Sequence, residues 1–233
     1  MTDTPRTGTG MSTEPILTST ALLRLMTWLS PAFPVGAFSY SHGLESAISA
    51  GLVRERADLV DWLADLVERG SGWNDLVLAA AAHERSDDEC GVEALGELGE
   101  ALAGSRERHL ETMQHGAAFL HAAATWGVPL GQLSALPYPV AAGVAAGRMA
   151  IPREAFLAAF AQSFIGNLVQ VAVRLLPLGQ TEGLKAMAEL EPIALGAGTR
   201  AATASLDDLG ASTFVSDSLS MRHETQYSRV FRS

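Results

Sequence analysis

The chain has 233 residues, of which 48% are hydrophobic and 18% are charged, and its formal net charge at pH 7 is −10. This length suffices for one sizeable core, and the composition excludes an intrinsically disordered chain. The acidic balance argues against a nucleic-acid partner, because phosphate binding needs a basic surface. With Cys90 as the single cysteine, no internal disulfide and no multi-cysteine metal site can form, which fits a cytoplasmic location.

Residues 1–18 are predicted to form a flexible N-terminal tail. They are rich in Thr, Gly, Pro and Ser and lack an apolar period. No long apolar stretch follows Arg6, so we do not expect a secretory signal. We expect residues 19–205 to form one all-α domain, and residues 206–233 to form a linker and a C-terminal tail.

Helical periods and helix-ending residues recur along the chain, whereas strand alternation does not stand out. Apolar stripes predict short helices that end before Pro31, at Gly51 and at Gly70. Further helices are predicted at about 73–85, 89–103, 105–126, 138–149, 152–176, 181–190 and 192–204. The sequence therefore predicts an all-α, single-domain bundle of about ten helices with short connections.

The stretch SPAFPVGAFSYSHGLE, residues 30–45, is predicted to be a stiff loop that leads into a helix. Its prolines restrict the backbone, and its glycines allow conformations that other residues resist. The three aromatic side chains of the loop either fill the chain's own core or serve as anchors for a partner. Glu45 falls in the first turn of the following helix, where its charge suits the helix dipole.

An acidic block at residues 55–111 contains 15 acidic and 5 basic residues, and it accounts for the whole charge imbalance. The block is either a solvated helical surface that favours solubility or a docking surface for a basic partner. Farther along, the small residues AAGVAAG at 141–147 predict a flat helix face. Such a face allows close helix packing, either within the domain or between subunits.

The apolar stretch at 155–176 is long enough to span a bilayer. Polar residues nevertheless recur along one of its faces at i, i+4, i+7 and i+11, which a lipid-facing helix would not tolerate cheaply. We therefore interpret it as the central helix of a soluble bundle and expect no membrane association. This polar stripe is either solvent-exposed or lines a wet cavity or an interface, and its members are Ser163, Asn167, Gln170 and Arg174.

The chain ends with MRHETQYSRVFRS, residues 221–233, which we call the C-terminal signature. Written as a helix, it places His223, Tyr227, Val230 and Phe231 on one face and its arginines on the other. Such a segment is too short to be stable alone, so it needs a surface to fold against. It either docks on its own domain or becomes ordered on a partner.

Motifs of familiar enzymes do not stand out in the sequence. We find no H-E-x-x-H, no P-loop and no G-x-S-x-G, so we expect no catalytic residue and no tightly bound cofactor. The histidines fit ordinary polar or core positions. His223 is a weak metal candidate, because two imidazoles paired across a dimer axis would make a weak site.

Three stretches together resemble the urease accessory protein UreF family. Residues 30–45 resemble its N-terminal signature, residues 173–183 (VRLLPLGQTEG) its middle motif, and residues 221–233 its C-terminal signature. The order and spacing of the three fit the family, and the resemblance extends from about residue 20 to the end of the chain. Residues 1–14 lie outside it.

The resemblance implies an all-α, non-enzymatic protein that forms homodimers and bridges two accessory proteins, UreD (also called UreH) and the GTPase UreG. The assembly would bind urease apoprotein and insert nickel with GTP hydrolysis by UreG. Nickel would then be handled by the complex, and GTP would be bound by UreG. Two alternatives stay open: a direct nickel-binding carrier for urease, and an all-α enzyme with an apolar pocket.

The resemblance also assigns partner-binding residues. In the N-terminal signature they are Pro31, Phe33, Pro34, Gly36, Phe38, Tyr40, Gly43 and Glu45. In the C-terminal signature, which is implied to become ordered on UreD, they are Arg222, His223, Glu224, Tyr227, Arg229, Phe231 and Arg232. The N-terminal set would dock a partner or shape a channel mouth, and the polar stripe becomes a candidate interface or channel wall.

Overall fold

The structure is a computed structural model that describes residues 16–36, 40–223 and 229–231. These residues form ten α-helices and no β-strand, which confirms the all-α prediction. The helices are α1 (Ser19–Trp28), α2 (Leu44–Ser49), α3 (Arg56–Arg69), α4 (Ser71–Glu84), α5 (Glu89–Ala101), α6 (Arg106–Ala123), α7 (Tyr138–Arg148), α8 (Arg153–Leu175), α9 (Gly179–Ala202) and α10 (Phe214–His223).

Several helices begin where a side chain can satisfy the free backbone N–H groups of the first turn. The side chains of Thr18, Asp88 and Ser105 accept such hydrogen bonds at the starts of α1, α5 and α6. A capping box between Glu55 and Asp58 opens α3. These local contacts explain why the helix starts lie close to the positions that the sequence predicts.

The two longest helices, α8 and α9, pack along each other at the centre of the fold. Gly183 near the start of α9 lies against Val173, and Gly198 near its end lies against Ala158, so the two helices run antiparallel. Around this pair, α3 packs against α9, α4 packs against α7, and α7 packs against α6. The apolar side chains between them form one continuous core.

Among the described residues, α8 is the one helix long and apolar enough to cross a membrane by length and composition. Half of its most apolar window is buried within the fold. Nine of its side chains, including Phe156 and Leu168, lie in the core. Its burial against α9 and its other neighbours is that of a central helix in a bundle.

The small-residue run at 141–147 packs inside the domain, against α4. A Cβ atom on Gly143 would lie 2.4 Å from the carbonyl oxygen of Ala79, and one on Gly147 would lie 2.5 Å from that of His83. No side chain fits at either distance. The two glycines therefore permit the close approach of α7 to α4, which is the first of the two alternatives for this run.

The prediction of two separate helices at 181–190 and 192–204 is wrong, because α9 is continuous through Pro192. Proline removes one backbone hydrogen bond and usually ends a helix. Pro192 is exposed, and so is Ala188, the residue whose carbonyl loses its helical partner. Packing of α9 against α8 and α3 holds the helix together across this position.

The helical interpretation of residues 221–233 is also only partly right. Met221 to His223 complete α10, which the sequence analysis missed, but residues 229–231 are not helical. Val230 is 72% exposed whereas Phe231 is 6% exposed, so the two do not share a face. The division of the chain at residue 205 stays a prediction.

Candidate functional site

The N-terminal signature lies mostly inside the fold. The ring of Phe33 packs against Phe119, with ring centroids 5.4 Å apart. Tyr40 is buried edge-on against His115 at 5.0 Å. These two aromatic side chains therefore fill the chain's own core, as the first alternative for the loop states. Phe38 lies outside the described residues.

Among the described residues of this loop, those of its proline-rich beginning are the most exposed. Pro31 and Pro34 are exposed, and Val35 and Gly36 are partly buried. Gly36 has a φ of +83°, a left-handed conformation that favours glycine, and open space surrounds the position of its missing Cβ. This glycine therefore serves the turn of the backbone rather than close packing.

A second left-handed turn at His42 and Gly43 brings the loop against α10. Gly43 has a φ of +76°, and a Cβ atom there would lie 2.9 Å from the carbonyl oxygen of Ser216 and 3.1 Å from the nitrogen of Ser220. Glycine is thus required twice, by the backbone angle and by the approach of α10. His42 itself has a φ of +49°, and its side chain points inward.

Glu45, the second residue of α2, binds the C-terminal signature through its carboxylate. Its carboxylate accepts hydrogen bonds from the backbone nitrogens of Val230 at 2.8 Å and Phe231 at 2.9 Å. The same carboxylate lies 3.1 Å from Nε2 of His223. Glu45 is 5% exposed, so its charge is satisfied within the chain.

His223 is fully buried between two carboxylates. Its Nδ1 lies 3.0 Å from Glu107, on the first turn of α6, and its Nε2 contacts Glu45. Glu107 also accepts a hydrogen bond from Arg229. The described parts of the C-terminal signature therefore pack on the chain's own domain, which is the first alternative for this segment.

The middle motif, residues 173–183, meets the same surface. The guanidinium carbon of Arg174 lies 5.9 Å from the centre of the Phe231 ring, a cation–π contact. Three motifs that are far apart in the sequence therefore meet in space. Of the remaining predicted tail residues, Arg222 is exposed, and Glu224, Tyr227 and Arg232 lie outside the described residues.

Behind the signature loop lies a network of buried charges that the sequence analysis missed. Arg108 on α6 bonds the carboxylate of Glu111 and lies 3.3 Å from Asp75 on α4. Nε2 of His42 lies 3.0 Å from Glu111, and its Nδ1 lies 3.3 Å from the hydroxyl of Ser71. The only signal in the sequence was the i, i+3 spacing of Arg108 and Glu111, which is common on solvated helices.

The two carboxylates of this network respond differently to burial. Burial alone would raise the pKa of Glu111, but Arg108 and His42 outweigh it and hold that pKa far below its usual range. Burial raises the pKa of Asp75, and the more distant Arg108 offsets this only in part. Arg108 therefore interacts more strongly with Glu111 than with Asp75.

The polar stripe of α8 is divided between the interior and the surface. Ser163 donates a hydrogen bond to the carbonyl of Leu29 at 2.8 Å, and Asn167 is partly buried. Both line a cavity of about 40 Å³ together with His115. Gln170 and Arg174 are exposed. One half of the stripe, Ser163 and Asn167, therefore lines a cavity, and the other half, Gln170 and Arg174, is solvent-exposed.

His115 faces this cavity without a complete set of partners. Burial lowers the pKa of His115, which favours the neutral ring. Its ring hydrogen-bonds the backbone of Gly36, and its buried Nε2 has no hydrogen-bond partner among the described residues. A neighbouring cavity of about 110 Å³ shares Asp75 and Arg108 with it.

A metal site is not evident in the described part of the chain, where no group of three or more His, Cys, Asp or Glu side chains could hold an ion. Both ring nitrogens of His223, the weak metal candidate, contact carboxylates instead. The arrangement is suited to holding chain segments together.

Comparison with known proteins gives the family. The UreF family model matches residues 53–191. The urease accessory protein UreF of Mesorhizobium japonicum is 53% identical over 219 residues, covering 92% of this chain and 97% of that protein. Urease accessory protein UreF 1 of Brucella canis is 52% identical, covering 92% and 95%. The chain therefore belongs to the UreF family of urease accessory proteins, which are not enzymes and take part in urease maturation.

Proposed function

We propose that this chain is a scaffold that bridges UreD (UreH) and the GTPase UreG on urease apoprotein, in the cytoplasm. Nickel would enter the urease active site as UreG hydrolyses GTP. The assembly would handle the nickel and UreG would bind the nucleotide, so this chain would need neither a P-loop nor a metal cluster of its own. Its work would be to hold its partners in one geometry.

The observation that carries this proposal is the two-sided C-terminal segment, by which we mean α10 together with residues 229–231. Its inner side is buried on the chain's own domain through Leu219, His223 and Phe231. Its outer side exposes large apolar side chains, namely Phe214 (76%), Val215 (58%), Met221 (52%) and Val230 (72%). Contiguous exposed apolar side chains are typical of protein-binding surfaces. We propose this outer side as the UreD contact.

The predicted partner-binding residues then divide into two groups. The buried or partly buried ones would support the surface from beneath, and they are Phe33, Gly36, Tyr40, Gly43, Glu45, His223 and Phe231. The exposed ones would contact the partner together with Gln170 and Arg174 of the polar stripe, and they are Pro31, Pro34, Arg222 and Arg229. Phe38, Glu224, Tyr227 and Arg232 keep the role that the resemblance implies.

The test is binding of UreD to the full-length chain and to the double variant Met221→Asp/Val230→Asp. Both positions are mostly exposed, so the variant should fold normally, as circular dichroism would verify. We expect UreD binding to weaken at least tenfold, because two charges would be placed in an apolar contact. Size-exclusion chromatography with light scattering, with UreD and then with UreG added, measures the assembly.

Leu195→Asp is the matched control, because Leu195 is also exposed and apolar. Since Gly198 lies opposite Ala158, Leu195 is roughly 20 Å along α8 from Arg174, the residue that contacts Phe231. It should bind UreD as the wild type does. If the double variant also forms the normal complex, the outer side of the segment is not the UreD surface, and the contact must be sought at the Pro31–Gly36 loop.

A further inference from the structure

We propose that a cavity at the junction of α4, α6 and α10 is a binding site for a guanidinium group. The cavity has a volume of about 110 Å³ and lies beside the buried network around Arg108. Two carboxylate residues, Asp75 and Asp217, line it together with three serines. The guanidinium group would come either from a free small cation or from an arginine side chain of a partner protein.

Three helices bring the polar groups of this cavity together. Asp75 lies on the second turn of α4, Arg108 on the first turn of α6 and Asp217 on the first turn of α10. The hydroxyls of Ser105, which caps α6, and Ser220 on α10 lie 3.3 Å apart. The cavity is therefore a product of helix packing, and its charged groups are far apart in the sequence.

The cavity has the size and the access that such a ligand needs. A single buried water needs about 10–15 Å³ of such space, so the cavity has room for a group of several non-hydrogen atoms. Leu102, Gly104 and Ala211 line the cavity and are exposed. A ligand can therefore reach it from the solvent.

The charges around the cavity favour a cation. Arg108 is the one basic side chain among the described residues that line it, and it already bonds Glu111 and lies 3.3 Å from Asp75. Burial raises the pKa of Asp217, and the charge of Arg108 offsets this only in part. Burial raises the pKa of Asp75 in the same way. A second cation would stabilise the ionised form of both carboxylates, whereas an anion would be repelled by them.

The lining of the cavity suits an organic cation better than a metal ion. In the described part of the chain, no group of three or more His, Cys, Asp or Glu side chains could hold an ion. A metal ion needs its ligands within about 2–2.6 Å, whereas a guanidinium group spreads its N–H donors over a planar fork. It has no acceptor of its own, so it needs only acceptors around it. Carboxylates and hydroxyls on the walls of the cavity supply them.

The experiment is titration of the full-length chain with methylguanidinium chloride up to about 50 mM, followed by two-dimensional ¹H–¹⁵N NMR. The reporters are the amides of Gly99, Gly104 and Ala211, which line the cavity. We expect saturable shifts with a dissociation constant of about 1–10 mM, because a ligand of so few atoms gains limited binding free energy. Shifts that do not saturate, or that sodium chloride reproduces at the same ionic strength, would overturn the proposal.

Asp217→Asn removes one of the two carboxylates at a half-buried position, and the affinity for methylguanidinium should fall at least fivefold. Asp61→Asn, at an exposed position of α3, removes the same charge elsewhere and should bind as the wild type does. Should Asp217→Asn unfold, Ala103→Leu provides the second variant, since it narrows the cavity without changing a charge and should abolish binding. Wild-type affinity in either cavity variant contradicts the site.

Two further ligands identify the recognised group and its source. Methylammonium chloride has the same charge but fewer donors in another shape, and it should bind at least threefold more weakly. Equal binding would show that the cavity does not recognise guanidinium. N-acetyl-arginine amide carries the group on a side chain: binding as tight as that of methylguanidinium supports an arginine of a partner, and binding of methylguanidinium alone supports a free small cation.

The proposed site lies within one chain, so its test needs no partner and does not depend on the bridging proposal. Failure of the titration would leave the UreD contact in place. Loss of UreD binding in the Met221→Asp/Val230→Asp variant, in turn, would leave the binding of methylguanidinium unchanged.

Discussion

At the level of single residues, the candidate site depends on charged side chains that are buried and paired. Arg108 joins two carboxylates behind the signature loop, and Glu45 binds two backbone amides and an imidazole in front of it. Removing one member of a buried ion pair leaves the other uncompensated, which is costly. Both clusters should therefore stabilise the folded chain, in addition to positioning the loop and the C-terminal signature at its surface.

Glu111→Gln should lower the free energy of unfolding at pH 7 by about 3 kcal/mol, because Arg108 would lose its main partner. The pKa of Glu111 is depressed in the folded chain, so its contribution is present above the unfolded pKa and is lost as the pH falls through the folded pKa. The variant should therefore lose less stability on acidification than the wild type. Urea unfolding at pH 7 and pH 4 measures both effects.

Asp75→Asn is the control, because its effect on the pH dependence of stability should have the opposite sign. Burial raises the pKa of Asp75, so this group adds stability as the pH falls and it becomes protonated. Its removal should make the acid loss steeper. Equal slopes for the two variants would mean that the pairing within the network is not as the geometry indicates.

At the level of elements, the position of α10 depends on its approach to the start of α2. The backbone of α10 touches Gly43, where there is no room for a Cβ atom. α10 has Leu219 and His223 on its buried side but only ten residues, so it is marginal without this contact. The same element carries exposed apolar side chains outward. Its placement therefore decides whether the proposed UreD surface forms.

Gly43→Ala and Gly36→Ala form a matched pair that separates packing from backbone strain. Both positions have a left-handed φ, so each alanine should cost about 1–2 kcal/mol in backbone conformation. Only at Gly43 does the added methyl group meet another helix, which adds about 1–3 kcal/mol of overpacking. Thermal unfolding measures the difference, and hydrogen exchange of α10 should rise in Gly43→Ala alone. Equal behaviour of the two variants would argue against close packing of α10 on α2.

At the level of the whole molecule, α1 exposes an apolar side that the described part of the chain does not cover. Leu23 and Met26 are 64% and 65% exposed, and Leu22 beside them is 45% exposed. The exposed positions of α1 include no acidic residue, although the chain as a whole carries a net charge of −10. The side chains of Leu22, Leu23 and Met26 carry no charge, so they avoid like-charge repulsion in a two-fold contact, where each patch meets its own copy. Arg24 on the same helix is partly buried. We propose α1 as the contact of the homodimer that the resemblance implies.

Leu23→Asp/Met26→Asp should convert the dimer to a monomer, because four carboxylates would meet across the two-fold axis. Light scattering at micromolar concentration measures the mass. Leu184→Asp, at an equally exposed apolar position on α9, should remain dimeric. A wild-type chain that is monomeric at that concentration, or a double variant that stays dimeric, would show that α1 is not a dimer contact.

The sequence by itself determined most of the helices and the family motifs, because helical periods, caps and helix-ending residues act over three or four positions. Only the tertiary structure decided that α9 continues through Pro192, since packing against α8 outweighs the local preference. It also decided the partners of the charged residues: Glu45 and His223 are 178 positions apart, and His42 and Glu111 are 69 apart. No short-range spacing encodes such pairs, because they exist only where the packed helices bring their side chains within hydrogen-bond distance.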